Sequence, residues 1–514
     1  MDESEHYKEL AQNYKDLINT AKGELGSIKF PRKKRETKNY SSDKDRQPDT
    51  VPRSRGRVER NSKVTISRTI DCKFPRENLP PDAQFKGLQR VIVQDLKIEI
   101  DNVELLIEVF YSPSTRKTYR AEHPPGYERE FGPRIRSLIF CLKNLGNMSE
   151  SGIYNLFKTF GIHIGQSSIS RIGLNDIKLL EEDSNDIIRT AIEQFDYLNI
   201  DDTGSKIFGK QHYSQILTNP FFTAYITLPN KNRLTILNAL LMGNELRYLF
   251  NNDAFEIMRM FSVPEIVCAD LSKKFLDQEI SETELRSALD SIPTKNKNPD
   301  QLHRRIMEAS GIAWYHTQDS IPTVKGFVSD DAPQFQQLAL WHSLCWVHAA
   351  RPIKKLNPLV PVHIEQQEKV MSQLWDYYRT LMDFKQKPED FCVEKIREQF
   401  DSIFAQKTGY LPLDKILKSI LTNKEKLLMV LKYPQIPLHN NAAELGARAL
   451  VKKRDVSLHS RSEEGAKAVD IGLTISQTAK KLGVNAYEYI HDRLTENKME
   501  RLAKTLLRKA GFLS

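Results

Sequence analysis

The sequence predicts a mixed α/β core with a large helical portion. Three observations carry that prediction. Apolar runs of strand length occur at YLNIDDTG (197–204), FFTAYITLP (221–229) and TVKGFVSDD (323–331). Between them RLTILNALLMG (233–243) is amphipathic, and 244–318 is mostly helical in pattern with an apolar stretch at PEIVCAD (264–270). Beyond residue 332 the chain reads as helix in segments 334–356, 360–383, 388–406, 412–432, 440–452, 463–482 and 485–511. Strands first and helices after fit a sheet-containing core with helices added to it.

The elements before this core follow in order. Residues 1–25 place Leu10, Tyr14, Leu17, Ile18 and Ala21 at helical spacing, which predicts a short amphipathic helix, packed on the body or paired as a coiled coil. Residues 26–65 are charged, rich in Pro, Ser and Arg and nearly empty of apolar residues, so they read as a disordered basic linker. Its PRKKR run is either a phosphate contact or a solvated tether. The alternating segment within 66–125 predicts a small β unit. In 126–190, RIRSLIFCLKNLG reads as a helix, and SESGIYNLFKTFGIHIGQSSISRIG reads as two helices around a turn at Gly161, with Ser149 and Ser167 as N-caps. A helix-turn-helix there would turn Gln166, Ser167, Ser168 and Arg171 toward DNA, although the same geometry serves ordinary cores.

Composition removes several classes. The chain has 514 residues and a formal charge of +9, a balance that suits a polyanionic partner without demanding one. No apolar run approaches the ~18 residues of a membrane span, and the polar, acidic start MDESEHYKELAQNYKDL is not a signal peptide. The expected setting is therefore cytoplasmic, with no membrane partner. Five scattered cysteines without CxxC spacing argue against a disulfide framework and against a zinc site. GxGxxG, GxxxxGK[ST] and HExxH motifs are all missing from the sequence.

Acids are what remain. Asp201-Asp202 and Asp330-Asp331 each follow an apolar run, where Asp is also simply favoured in turns. LHNNAAELGARALVKKR (438–454) reads as a helix that carries Glu444 ahead of a basic stretch. Three carboxylates from distant segments suit hard divalent cations, and two such ions about 4 Å apart serve phosphoryl transfer. His439, Asn440 and Asn441 would then meet phosphate at the helix N-terminus, and Lys452, Lys453 and Arg454 would hold a DNA backbone. A capped surface helix would show the same spacing.

In order along the chain, these motifs resemble the DDE transposases of the insertion sequence 66 group. Asp201-Asp202-Thr203 resembles the family's Asp-Glu-Thr, and Ser329-Asp330-Asp331-Ala332 its Thr-Asp-Gly-Tyr. Cys345-Trp346-Val347-His348-Ala349-Ala350-Arg351 is similar to its Cys-Trp-Ala-His-Ala-Arg, and His439 to Glu444 to its His-Asn-Asn-x-Ala-Glu. Ser462-Glu463-Glu464-Gly465-Ala466 and TAKKLGVNAYEYI (478–490) continue the series, and 126–172 resembles the family's helical DNA-binding region.

The resemblance, which covers roughly 85–495, implies an RNase H-like DDE catalytic domain over 191–495; the long Asp201–Asp330 separation points to a helical insertion near 244–318, and the helical pattern at the end of the chain gives a C-terminal helix at 496–514. It implies Asp201, Asp330 and Glu444 as catalytic ligands of two Mg2+ or Mn2+ ions, with His348, Arg351, His439, Asn440 and Asn441 lining the site. It also implies cleavage of element ends by water, attack of the freed 3′-hydroxyl on target DNA, and a bacterial, nucleoid-associated setting. The partners it implies are double-stranded DNA, a homo-oligomer on that DNA and small accessory proteins from the same element.

The chain departs from the family in places. Asp202 and Asp331 stand where the family has Glu and Gly, and Leu445 where it has Arg. Only Cys72 lies near the zinc element that many members carry, so 66–125 reads as a degenerate version without zinc. The long separation of Asp201 and Asp330 makes Asp270 a rival ligand; Asp330 is preferred because CWVHAAR follows it closely. Asp201 is preferred to Asp202 on motif position, since strand alternation admits one of them. The alternatives are a catalytically inactive transposon-derived DNA-binding protein and a metal-dependent nuclease without strand transfer.

Overall fold

The computed structural model describes residues 65–291 and 299–513. The expected helix at 1–25 and linker at 26–65 fall outside the described residues, apart from Thr65. The chain divides into two units, Met1–Gln94 and Asp95–Ser514. In the first, the described residues hold one 3-10 turn at Arg76–Asn78 and otherwise irregular, exposed chain.

The second unit opens with a two-stranded hairpin, β1 (Val109–Ser112) and β2 (Lys117–Arg120). The expected β unit is therefore smaller than the alternation suggested. Alternating residues such as Leu96 and Ile98 have no sheet to pack on and stay exposed, and a strand without neighbours has nothing to hold it.

Three helices follow, α1 (Pro133–Asn144), α2 (Glu150–Thr159) and α3 (Gln166–Leu179). They close around Ile139, Ile153, Phe157, Ile164, Ile169 and Ile172. Ser149 caps α2 by accepting from Gly152 N at 3.1 Å. The second expected cap moves: Gly165, not Ser167, is the N-cap of α3, which begins at Gln166. Helix α4 (Glu181–Gln194) leads into the sheet.

The central sheet is mixed. Strands β3 (Leu198–Ile207), β4 (Lys210–Thr218) and β5 (Thr223–Leu228) form an antiparallel meander. Helix α5 (Arg233–Leu240) and an insertion follow, comprising β6 (Tyr248–Leu249), α6 (Asn252–Met260), α7 (Glu265–Phe275), β7 (Glu279–Ile280), α8 (Glu282–Asp290) and α9 (Pro299–Thr317). The chain then returns as β8 (Gly326–Ser329), parallel to β3, and β9 (Trp341–Leu344), parallel to β8. The order is β5-β4-β3-β8-β9.

Three expectations are corrected here. Asp201 and Asp202 do not end a strand; they sit inside β3, which runs on to Ile207. Strand β4 was not foreseen. Residues 341–344 are strand, not part of a helix over 334–356, because a short run buried on both faces carries no alternation to separate it from its helical flanks.

Beyond the sheet come α10 (Trp346–Lys355), α11 (Pro361–Gln386), α12 (Val393–Phe404), α13 (Leu411–Thr422) and α14 (Lys424–Leu427), packed around Trp346, Tyr377, Phe400 and Phe404. The last helices are α15 (Asn441–Ser457), α16 (Glu463–Leu482), α17 (Ala486–Leu494) and α18 (Leu502–Lys509). The single helix expected at 485–511 is thus two.

The sheet's two faces are covered differently. Leu198, Ile200, Leu217 and Ala224 share a core with α4, α5 and the insertion helices. Ile216 and Tyr225 point the other way and pack with Leu450 of α15 and Leu473 of α16. Helix α15 lies close to this second face because of Gly446. Its carbonyl accepts from the Tyr225 hydroxyl at 3.0 Å, and a Cβ there would stand 2.7 Å from Ile216 Cγ2 and 3.1 Å from Thr223 Cγ2. Both neighbours are buried and β-branched, so they yield poorly. Gly446→Ala should cost about 1–3 kcal/mol, read as a fall in thermal midpoint. An unchanged midpoint would refute this close seating.

Candidate active site

The site begins with strand register. In the parallel pair, Leu198 lies opposite Phe327 and Asn199 opposite Val328. Two residues further in the same register, Asp201 faces the position of Asp330, just past the end of β8. The separation in sequence that admitted Asp270 as a rival is the register offset itself. Asp270 instead lies on α7, well exposed, 3.8 Å from Lys273.

Alternation distinguishes the two neighbouring acids. Asp201 shares its face with Asn199 and, across β4, with Ile216, the face on which α15 packs. Asp202 points to the opposite face, where Gln334 Nε2 donates to its Oδ2 at 2.9 Å. Of the second pair, Asp330 Oδ1 accepts from Ala332 N at 3.1 Å, while Asp331 accepts from Asn423 and Gln336 side chains at 2.9 and 3.3 Å.

Glu444 comes to this face through Asn440. Asn440 is the N-cap of α15, yet its side chain does not cap the helix. It is buried, donating from Nδ2 to Ile200 O at 2.8 Å and accepting from Asn199 Nδ2 at 2.9 Å. Its backbone N–H donates to Cys345 Sγ at 3.2 Å, immediately before α10. Helix α15 is thereby tied to the residue before Asp201, and Glu444 follows one turn later, its N–H bonded to Asn440 O at 3.2 Å.

Helix α10 completes the group with His348 and Arg351 on one side of the helix. Arg351 Nη2 donates to Glu444 Oε1 at 2.6 Å, and His348 Nε2 lies 3.4 Å from the same oxygen. Arg351 Nη1 stands 2.5 Å from His348 Nε2. A guanidinium only donates, so Nε2 accepts and the ring proton sits on Nδ1, which has no hydrogen-bond partner. Burial, then the Arg351 charge, push the His348 pKa down, favouring the neutral ring.

Electrostatics single out Asp201. Burial raises its pKa to about 7, and the charges of Asp330, Asp202 and Glu444 push the same way, against a 2.8 Å bond accepted from Asp202 N. A desolvated carboxylate among other carboxylates is the oxygen-rich, uncompensated environment that suits a hard cation. The fit lies in donor chemistry and shared face rather than in finished geometry. Among the described residues no three His, Cys, Asp or Glu side chains are gathered closely enough to hold an ion, and Glu444 is engaged by Arg351. A cavity of about 520 Å³ opens beside Asp330, lined also by His348, Pro352, Lys415 and Ser419.

The remaining sequence candidates are placed elsewhere. Asn441 N donates to His439 Nδ1 at 3.4 Å beside the helix start. Lys452 is exposed. Lys453 is buried, donating to Lys143 O and, at 3.2 Å, to Asn144 Oδ1, and burial lowers its pKa to about 7. Arg454 donates to Gly204 O. Gln166, Ser168 and Arg171 lie on α3, where Arg171 donates to Ser168 Oγ at 3.2 Å. The sequence reading missed Asn199 and Cys345 as anchors of Asn440. A polar Asn inside the apolar run LNI was the available signal; the Cys345 contact had none.

The family model described as Transposase IS66 family matches residues 314–468, a segment holding Asp330, the His348–Arg351 pair and Glu444. Uncharacterized protein y4jO of Sinorhizobium fredii (strain NBRC 101917 / NGR234) is 34% identical over 305 residues, covering 58% of this chain and 91% of that protein. The chain belongs to the Transposase IS66 family. Among the described residues no helix is long and apolar enough to cross a membrane.

The Asp201 shift has a measurable consequence. Its folded-state pKa lies above the unfolded value, so the folded chain binds the proton more tightly. The stabilisation is full below about pH 4 and is lost as pH rises to about 7. In cation-free buffer, Asp201→Asn should therefore melt above wild type near pH 8, with the gain gone near pH 4. A pH-independent difference would contradict the buried, charge-crowded environment.

Proposed function

We propose that this chain is a metal-dependent DNA transposase that cleaves element ends and joins the freed 3′-hydroxyl to target DNA. The observation that carries the reading is the common face shared by Asp201, the Asp330 position and the start of α15. Family membership and the mixed sheet support an RNase H-like core: an antiparallel meander is extended beyond β3 by two parallel strands.

Asp201, Asp330 and Glu444 would hold two Mg2+ or Mn2+ ions, whose chemistry is to activate the attacking oxygen and stabilise the leaving one. The protein's own groups do the rest. Asp201, held in rigid strand, offers a preorganised oxygen. Glu444 turns to the aspartates as Arg351 exchanges its carboxylate for a DNA phosphate, which a guanidinium binds in the same forked geometry. Neutral His348 keeps a donor on Nδ1. First a water oxygen bonds to phosphorus and the strand leaves as a 3′-hydroxyl; that hydroxyl then attacks a target phosphodiester and displaces a second 3′-oxygen.

Helices α2 and α3 are proposed as a helix-turn-helix presenting Gln166, Ser168 and Arg171 to duplex DNA. Assembly as a homo-oligomer on DNA, with accessory proteins of the same element, belongs to this reading. The Arg351–Glu444 pair favours one second reading, a DNA-binding protein of transposon origin in which the carboxylates never assemble.

Cleavage of DNA carrying the element's ends in Mg2+ separates the two. Removing partners that merely orient metal ligands already costs about 10–100-fold. Asp201→Asn, Asp330→Asn and Glu444→Gln should therefore each lose on the order of 100-fold or more, with Asp270→Asn unchanged. Equal activity in wild type and all three variants would reject the site, and a wild type that binds the ends without cutting them would favour the second reading.

A further inference from the structure

The β3–β4 hairpin runs beyond the sheet to a two-residue turn. Ile207 pairs with Lys210, and the turn residues Phe208 and Gly209 have φ of 50° and 75°. Two successive positive φ values make the tight turn whose twist matches the strands. Gly209 takes that conformation freely, whereas Phe208 is an aromatic held in the left-handed region. Phe208 is 71% exposed although Ile207 beside it is buried.

The tip is braced. Phe208 N donates to Ser460 O at 3.1 Å and Ser460 N donates to Lys206 O at 3.3 Å, a parallel bridge joining the hairpin to the link between α15 and α16. Arg454 on the last turn of α15 fastens the same hairpin at Gly204 O. On the bracing loop, Leu458 also has a positive φ, 62°, and is 72% exposed. A fixed loop therefore presents two large apolar side chains to solvent without a partner among the described residues.

The turn and the bracing loop themselves carry charge of one sign. Residues 205–212 carry Lys206, Lys210 and His212 and no acid; the loop 456–461 carries His459 and Arg461 and no acid. Asp455, Glu463 and Glu464 lie on the flanking helices. The loop also walls a cavity of about 500 Å³ whose far side includes Gln166 and Ser170 of α3. Exposed basic side chains around a rigid aromatic point match a polyanion with stackable bases better than an apolar protein surface.

Resting on the transposase reading, we propose that the β3–β4 tip is a DNA wedge. Phe208 inserts between base pairs of duplex DNA while Lys206, Lys210 and Arg461 hold the flanking phosphates. Phe208 lies seven positions beyond Asp201 on the strand, about 23 Å at ~3.3 Å per residue, or about seven base pairs at ~3.4 Å each. The wedge would thus grip and unwind the duplex well to one side of the phosphate being cut.

The test uses the full chain without divalent metal, so it does not depend on cleavage. Affinity for a mixed-sequence 40-base-pair duplex is measured across a salt series. In parallel, a relaxed plasmid is treated with topoisomerase in the protein's presence and its linking number read. Phe208→Ala removes no core packing; it should weaken duplex binding about tenfold, within the range for losing one stacking contact, and abolish the linking-number change. Lys206→Ala with Lys210→Ala should lower the salt slope by about 2. A Phe208→Ala chain that binds and unwinds like wild type would overturn the wedge and leave the transposase reading untouched. So would loss of self-association in sedimentation with unchanged DNA behaviour, which would assign the tip to a second copy of the chain. A wild type that binds no duplex would overturn the transposase reading itself and the wedge with it.

Discussion

The buried amide of Asn440 is the interaction on which the arrangement depends. It bridges Asn199 and Ile200 on the central strand to the first turn of α15, while its backbone N–H reaches the sulfur that precedes α10. Three segments far apart in sequence meet at this one residue. Removing it would strand the Asn199 amide and the Ile200 carbonyl without water, at about 1–3 kcal/mol for each buried orphan. More important than that energy is direction. Asn440 fixes where α15 starts, and Gly446 fixes how closely it lies on the sheet, so the two together set the height and angle of Glu444.

The carboxylates gathered there are mutually unfavourable, and the fold handles this in three ways. Asp201 has its pKa raised to about 7 by burial and its acidic neighbours. Asp330 sits at a strand end, where a turn N–H reaches it. Glu444 is neutralised by Arg351. The same guanidinium faces His348, so one cation balances the carboxylate and selects the imidazole tautomer.

Much of this was legible in the sequence, and the exceptions have physical causes. The acids at 201 and 330 and the helix bearing Glu444 could be read, because apolar strands and a basic helix leave strong local patterns. Alternation offered a choice between Asp201 and Asp202 but not the answer, which needed to know which face α15 covers. Strand β9 hid because a run buried on both sides has no period-two signature. Strand β4 hid because KQHYSQILT begins polar and exposed at the hairpin's outer end and becomes apolar only as it enters the core. Lys453 looked like a phosphate contact within a run of cations. Helical rotation turned it inward to cap α1, and Arg454 went to the hairpin. Spacing along a helix specifies a side but not what stands on it.

The parallel return of β8 beside β3 has a consequence for the two sides of the sheet. Two parallel neighbours cannot be joined by a hairpin, so the intervening chain must cross over one side of the sheet and bury it. Here that crossover carries α5 to α9, and Leu198, Ile200, Leu217 and Ala224 lie beneath it. Asp202 lies on that covered side, whereas Asp201 lies on the opposite side, beneath the start of α15. The crossover can therefore change in length without displacing the strand register that sets Asp201 opposite the position of Asp330.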